Sequence, residues 1–373
     1  MRSFKSNLVF IKTKLTMINM INEQIVNYEP QIYKIGNPWQ KKVYIHMAEY
    51  IQKKGIVKFG VSKNGNQYKH LLTKEDAHIN FITKDILDAT KKRFNKHKAG
   101  DINRILTNTA ASQTYCFNLV IFLQQNLILA NRLFSDLLNK NIEIQHLEPE
   151  FTPNECDIPG FERTTDESIG DQNHDKGIGT DSDIAVFYTY ENNKKGVLLI
   201  EFKFIEPEFS VCSSFTKKKI KNICFSPNYY SKFIQAKETD KNLNFLCGYN
   251  KYYNWDLTTN SKVVNIEKIK SMLACPFRNG LNQLWRNYLL SEQVALARNC
   301  DEFGFWVFTP IENDKYLWKK GKTEKEFREI LTKQGNEHFR KIYLETILDK
   351  FKEYVNESNQ KEWLSEMNIK YRI

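Results

Sequence analysis

Three residues in the middle of the chain have the types and spacing needed for metal-assisted hydrolysis. Asp183 opens one apolar run, and Glu201 and Lys203 close the next one in the pattern Glu-x-Lys. Two carboxylates can hold a divalent cation, and a neighbouring ammonium group can orient a water molecule or handle its proton. Together these groups would suit hydrolysis of a phosphodiester bond.

Two predicted strands would bring these residues together. Residues 183–188 and 197–203 are apolar runs separated by a polar turn at 192–196, short enough for a hairpin. Because side chains alternate along a strand, Glu201 and Lys203 point to one face, and antiparallel pairing sets Asp183 beside them. An ordinary exposed strand end is the alternative, but Glu201 follows four apolar residues, where a carboxylate is costly without a partner. We therefore expect a metal site at one end of this sheet.

The overall charge favours a polyanionic partner. The 373 residues include 55 Lys and Arg against 44 Asp and Glu, which gives a formal net charge of +11. This balance is compatible with DNA, RNA or a membrane surface. Acidic residues dominate 148–183, and basic residues cluster at 91–98 and 217–221. Taken alone, each basic run is most simply a solvent-exposed face. Acidic residues that bind a cation, flanked by basic residues that bind phosphates, are nonetheless typical of a nuclease.

Several classes of protein are disfavoured by the sequence. The seven cysteines include no Cys-x-x-Cys pair and the seven histidines no pair at ligand spacing, which argues against zinc and iron–sulfur sites. There is no Walker-type loop for ATP-driven work. Lys12 and Lys14 interrupt the apolar N-terminal segment, and no run reaches the length of a membrane span. We expect a soluble, cytoplasmic protein with reduced thiols and no membrane association.

Periodicity divides the chain into three predicted segments. These are an N-terminal extension with a role in substrate contact (1–109), a core with an insertion at about 206–270 (110–310), and a helical C-terminal segment (311–373). Predicted helices cover 43–51, 78–93, 115–138 with Ser112 as N-cap, 281–298 and the chain from 323 onward. Predicted strands cover 142–148, the hairpin and 303–309, and the long loop at 150–180 is expected to be functional. The core therefore has the order helix, strand, strand, strand, helix, strand.

In this order, four short pieces of the chain resemble the PD-(D/E)XK nuclease superfamily, and within it a bacterial restriction-endonuclease-like group. The pieces are residues 112–118 on the first helix, 180–183, 200–206 and 283–286. The resemblance covers about 110–310. It implies an α/β fold with a restriction-endonuclease-like αβββαβ core, whose central mixed sheet is flanked by helices, and with helical additions at both ends.

The resemblance also implies roles for individual residues. Asp183, Glu201 and the Phe202 carbonyl would bind Mg²⁺ or Mn²⁺, and Lys203 would orient the attacking water. Asp181 is the alternative to Asp183, while Glu148, or else Glu162, would supply a further carboxylate. Supporting or nucleic-acid-binding roles are expected for Gln113, Gln283, Arg286, Lys217, Lys218, Lys219 and Lys221.

The expected activity is metal-dependent hydrolysis of DNA, in restriction, defence or DNA processing. A module on the same fold that binds nucleic acid without cutting is the alternative, and a scaffold that recruits a protein partner through its C-terminal helices is a third. Cutting both strands with one site per chain would favour a homodimer. The tyrosines and tryptophan of the insertion, among them Tyr229, Tyr230 and Trp255, could stack on bases, but packing is the simpler explanation.

Overall fold

The computed structural model describes residues 35–96, 101–153, 158–161, 180–212, 215, 221–232 and 254–373. The chain forms two compact units, one of Met1–Asn118 with Asn356–Ile373 and the other of Leu119–Val355. Within the described residues, no helix combines the length and apolar character that a membrane crossing requires.

The second unit contains the five strands of the described residues together with helices, and the described elements of the first unit are helices. The helices are α1 (Pro38–Lys53), α2 (Lys84–Lys96), α3 (Ile102–Thr107), α4 (Ser112–Gln125), α5 (Leu127–Leu138), α6 (Lys221–Cys224), α7 (Asn254–Asn260), α8 (Ile266–Lys270), α9 (Leu281–Ala297), α10 (Asp314–Leu317), α11 (Lys322–Glu329), α12 (Lys333–His338), α13 (Leu344–Tyr354) and α14 (Ser358–Tyr371). The strands are β1 (Ile142–Phe151), β2 (Ser182–Tyr190), β3 (Lys194–Phe202), β4 (Glu302–Thr309) and β5 (Phe339–Tyr343).

The second unit is built on one mixed sheet with the order β1-β2-β3-β4-β5. β1, β2 and β3 pair antiparallel, whereas β3, β4 and β5 pair parallel. The predicted hairpin is confirmed, with Asn192 and Asn193 in its turn at φ 59° and 61°. Asparagine tolerates this left-handed conformation better than most residues, which suits a tight turn between two strands. The predicted helix–strand–strand–strand–helix–strand order of the core is also confirmed.

Helix α9 covers the centre of the sheet and packs on β3 and β4. Its buried side chains Trp285 and Tyr288 belong to one aromatic cluster with Phe305 of β4 and Phe339 of β5. Burying each such side chain contributes about 1.5–3 kcal/mol, so this contact fixes the helix on one face of the sheet. Tyr229 and Trp255 of the insertion are buried in the same cluster, which confirms the packing interpretation for these two residues.

Three sequence-based predictions of helices were wrong in detail. The helix expected at 115–138 is two helices, because Asn126 adopts φ −132° and its side chain donates to the Phe122 carbonyl at 2.9 Å. The helix expected at 78–93 begins only at Lys84. The C-terminal helix expected from 323 is interrupted by β5, because Phe339 enters the aromatic cluster and residues 339–343 pair with β4.

In the first unit, the imidazole of His70 is buried against aromatic rings. It is 4% exposed, and its ring stacks on Tyr44 with centroids 4.3 Å apart. Its main-chain carbonyl accepts a hydrogen bond of 2.7 Å from the Thr109 hydroxyl. Burial lowers the pKa of His70 to about 3, because the charged form loses its hydration. His70 is therefore neutral in the folded protein.

This burial predicts a loss of stability in acid. Since the folded pKa lies below the usual value near 6.5, the stabilisation is complete above pH 6.5 and is lost as the pH falls towards 3. Between pH 7 and pH 4.5 the wild type should lose roughly 2–3 kcal/mol more unfolding free energy than His70→Phe, at about 1.4 kcal/mol per pH unit. Urea unfolding followed by circular dichroism measures both, with the exposed His78→Asn as control. Parallel pH profiles for wild type and His70→Phe would contradict the prediction.

Candidate functional site

The strand register brings three carboxylates to one end of the sheet. Ile184 pairs with Ile200, which sets Asp183 of β2 beside Glu201 of β3. Phe151 of β1 pairs with Ser182, which sets Glu150 beside Asp183 on its other side. Directly opposed residues of antiparallel strands share a face of the sheet. The three acids therefore form a row across β1, β2 and β3.

Glu201 is the most buried of these acids, at 3% exposure, and three donors compensate its charge. Lys203 Nζ lies 2.6 Å from its Oε1, and Gln283 Nε2 donates to the same oxygen at 2.7 Å. Asn287 donates to Oε2. Because an unpaired buried carboxylate is strongly unfavourable, these contacts are what allow Glu201 to occupy the interior.

Helix α9 carries the two amides that hold Glu201. Gln283 and Asn287 are four residues apart and so lie on one face of the helix. The Gln283 carbonyl oxygen accepts a hydrogen bond of 2.9 Å from the Ser210 main-chain N–H. This bond fixes the orientation of the amide, so that its NH₂ group points towards Glu201.

Lys203 follows the last residue of β3 and is nearly buried. Its main-chain N–H donates to the Phe308 carbonyl of β4 at 2.8 Å, which continues the parallel ladder past the strand end. Burial lowers the pKa of Lys203, but Glu201, Glu206 and Asp183 together raise it by more, and the net shift is upward. The side chain is therefore an ammonium at neutral pH, a donor and a positive charge rather than a base.

Asp183 accepts a hydrogen bond of 2.6 Å from the Phe202 main-chain N–H through Oδ2. Burial raises the pKa of this carboxyl, and the charges of Glu201 and Glu150 raise it further. Lys203 and the Phe202 N–H act in the opposite direction, and the net shift is well upward. Burial, and after it the charges of the neighbouring acids, thus make the ionised form of Asp183 unfavourable.

The donor set suits a hard divalent cation. Carboxylate and carbonyl oxygens are the ligands that Mg²⁺ and Mn²⁺ prefer, and a cation would relieve the repulsion between Asp183 and its acidic neighbours. Across the described ranges, no three His, Cys, Asp or Glu residues are grouped as a potential metal site. Asp183, Glu201 and the Phe202 carbonyl are the residues that could hold such a cation, with water completing its coordination.

The other residues expected to act here lie in several places. Asp181 is exposed and precedes β2, so Asp183 is the acid beside Glu201. Glu148 lies opposite Ala185, with His146 Nε2 3.2 Å from its carboxylate. Arg286 is half-buried on α9, and Gln113 is half-buried on α4 in the first unit. Their roles stay predictions, whereas Glu162, Lys217, Lys218, Lys219 and the side chain of Lys221 lie outside the described residues.

Sequence reasoning missed two residues of this site. Glu150 lies beyond the end of the strand predicted at 142–148, yet it is two residues from Glu148 and shares its alternation. Asn287 lies one helical turn after Gln283, and this i, i+4 spacing could have identified it from the sequence as a neighbour of Gln283.

Replacing Asp183 by asparagine should stabilise the metal-free protein. An acid whose folded pKa is raised favours folding at low pH and opposes it as the pH rises, so the substitution should add about 1 kcal/mol to the unfolding free energy at pH 8. The gain should shrink towards pH 4.5. Urea unfolding in EDTA tests this, with Asp181→Asn as an exposed control that should change stability by less than about 0.5 kcal/mol. Equal stability of wild type and Asp183→Asn at pH 8 would contradict it.

A family model matches this chain. The family model of the PD-(D/E)XK nuclease superfamily matches residues 36–246 and 250–372, which is most of the chain. Comparison with curated proteins and with solved structures finds no match. Because the match extends over both sides of the hairpin and includes the strand ends with Asp183, Glu201 and Lys203, the chain belongs to the PD-(D/E)XK nuclease superfamily.

Proposed function

We propose that the protein is a Mg²⁺- or Mn²⁺-dependent deoxyribonuclease that hydrolyses phosphodiester bonds of DNA, in restriction, defence or DNA processing. One observation carries the proposal: Asp183, Glu201 and an ammonium group, Lys203, meet at one end of the sheet, and Lys203 Nζ is 2.6 Å from Glu201. Membership of a nuclease superfamily supports a nucleic-acid substrate. The formal charge of +11 supports a polyanionic one.

The residues would divide the chemistry between them. Asp183, Glu201 and the Phe202 carbonyl would hold the metal, and Gln283 and Asn287 keep the Glu201 carboxylate oriented for that purpose. A bound divalent ion would supply Lewis-acid stabilisation of charge on the phosphate and lower the pKa of a coordinated water. Lys203 would donate a hydrogen bond to the attacking water and stabilise the hydroxide form by its charge, since the raised pKa keeps the side chain protonated.

Cleavage assays test the proposal directly. Wild type should cut supercoiled, linear or single-stranded DNA with Mg²⁺ or Mn²⁺ and not with EDTA. Asp183→Ala and Lys203→Ala should each lose at least about 100-fold in rate, as expected for removal of a group that stabilises the transition state. Asp181→Ala is the matched control, because it removes an exposed acid two residues away, and it should keep the wild-type rate within about three-fold.

The possible outcomes separate the functions. Loss of cutting in both variants, together with unchanged circular dichroism, would support the nuclease and its site. DNA binding by wild type without cutting of any substrate would favour the non-cleaving module instead. The linear and supercoiled substrates distinguish cutting at ends from cutting inside the molecule. Sedimentation analysis of the protein on DNA would show whether two copies act together, which double-strand cutting by one site per chain would favour.

We further propose Glu150, in place of Glu148, as the carboxylate that completes the site. Glu150 is buried and lies close enough to raise the pKa of Asp183, whereas Glu148 lies next to His146. Glu150→Gln should therefore lower the cleavage rate by about ten-fold or more, and Glu148→Gln by less than about three-fold. The two substitutions are matched in chemistry and lie two residues apart on one strand. A larger loss for Glu148→Gln than for Glu150→Gln would reverse the assignment.

A further inference from the structure

The Thr309 hydroxyl, at the end of β4, is buried without a partner. The side chain is 0% exposed, and within the described ranges no group forms a hydrogen bond with its Oγ1. Thr90 of α2 shows the usual arrangement, since it is buried to the same degree and its hydroxyl donates to the Ile86 carbonyl at 2.7 Å. Because a buried hydroxyl without a partner destabilises the fold, Thr309 calls for an explanation beyond packing.

Thr309 is the strand neighbour of Lys203. The Lys203 main-chain N–H donates to the Phe308 carbonyl at 2.8 Å, so Lys203 and Thr309 lie side by side on two parallel strands. Such strands are about 4.8 Å apart. The two residues also share a face of the sheet, because Glu201 pairs with Val307 and each of them lies two positions further along its strand. The hydroxyl therefore lies beside the Lys203 side chain, on the face that carries the carboxylates.

The neighbours of Thr309 on its other side are already engaged. Thr309 pairs with Tyr343 of β5, whose hydroxyl donates to Asp314 at 3.1 Å. Lys341, two residues earlier on β5, lies 2.6 Å from the same carboxylate. Of these neighbours, Lys203 is the one that belongs to the candidate site.

Lys203 shares its present acceptor with other donors. Its Nζ lies 2.6 Å from Glu201 Oε1, which also accepts from Gln283 at 2.7 Å, and Asn287 donates to Oε2. A cation held by Glu201 would draw on the same oxygens and would repel the ammonium group. The bond between Lys203 and Glu201 would then weaken, and the three N–H donors of the ammonium would need a further acceptor.

The other acids near Lys203 are committed elsewhere. The charge of Glu206 attracts Lys203, but its Oε2 accepts the main-chain N–H groups of Phe204 and Ile205 at 2.9 and 3.1 Å. Asp183 also attracts the ammonium, but it would itself bind the cation. The orphan hydroxyl at the end of β4 is therefore the acceptor that remains beside the ammonium.

We propose that Thr309 is a positioning residue, whose hydroxyl accepts a hydrogen bond from the Lys203 ammonium when Glu201 binds the cation, and so keeps that ammonium directed at the attacking water. The proposal rests on the proposed function, because it gives Thr309 a place in that reaction. Since the hydroxyl is fully buried, it acts on the water through Lys203 alone. Removing it should slow the reaction without destabilising the metal-free fold.

Replacement of Thr309 by valine, which keeps the shape and removes the hydroxyl, tests both effects. Urea unfolding in EDTA should give a midpoint at or above that of wild type, because an unsatisfied polar group is lost. The kcat for DNA cleavage should fall by about five- to twenty-fold, with KM within about two-fold of wild type. Thr309→Ser keeps a hydroxyl and should restore kcat. Thr90→Val removes a bonded hydroxyl and should do the reverse, with a lower midpoint and an unchanged kcat.

A second readout does not depend on cleavage. In protein labelled with ¹⁵N at lysine Nζ, the Lys203 ammonium signal is assigned by its absence from Lys203→Arg. In EDTA the signal should be the same in wild type and Thr309→Val, because Glu201 is the acceptor in both. With Mg²⁺ it should stay sharp in wild type and broaden in Thr309→Val, since an ammonium without an acceptor exchanges its protons faster with water.

The outcomes separate this proposal from the proposed function. Cutting by Thr309→Val at the wild-type rate would overturn the role of Thr309 and leave the nuclease intact. A urea midpoint of Thr309→Val below that of wild type would overturn it as well, since the hydroxyl would then stabilise the metal-free fold. Absence of cutting by wild type would count against the nuclease, and the Lys203 signals in Mg²⁺ would then decide. A difference between wild type and Thr309→Val supports the contact, and identical signals overturn it.

Discussion

A single buried carboxylate constrains the arrangement of the second unit. Glu201 ends an apolar strand at 3% exposure, and it is tolerated there only because Lys203, Gln283 and Asn287 surround it with donors. Two of these donors come from α9, so the helix must lie over the end of β3. The Ser210 N–H in turn orients Gln283, which ties the segment after the strand to the same point. Strand, helix and loop are thus positioned by one charge.

The same cluster shows why such a site is a compromise with stability. Burial raises the pKa of Asp183, and the charges of Glu201 and Glu150 raise it further. Lys203 offsets part of this repulsion and is itself held protonated by it. A protein selected for stability alone would gain from apolar residues here, because buried ion pairs seldom repay their desolvation. The proposed function would account for this arrangement, because a bound cation would relieve the repulsion.

The sequence predicted the structure best where it depends on local features, namely the alternation of side chains along a strand and the residues of a short turn. The hairpin and the placement of Asp183 against Glu201 follow from period-two alternation and a short polar turn, and both are found. Glu150 was missed because the strand was predicted to end at residue 148, although apolar and acidic residues alternate up to Phe151. The strand at 339–343 was hidden for another reason. Phe339 has helical spacing with the residues that follow, and only its place in the aromatic cluster selects a strand.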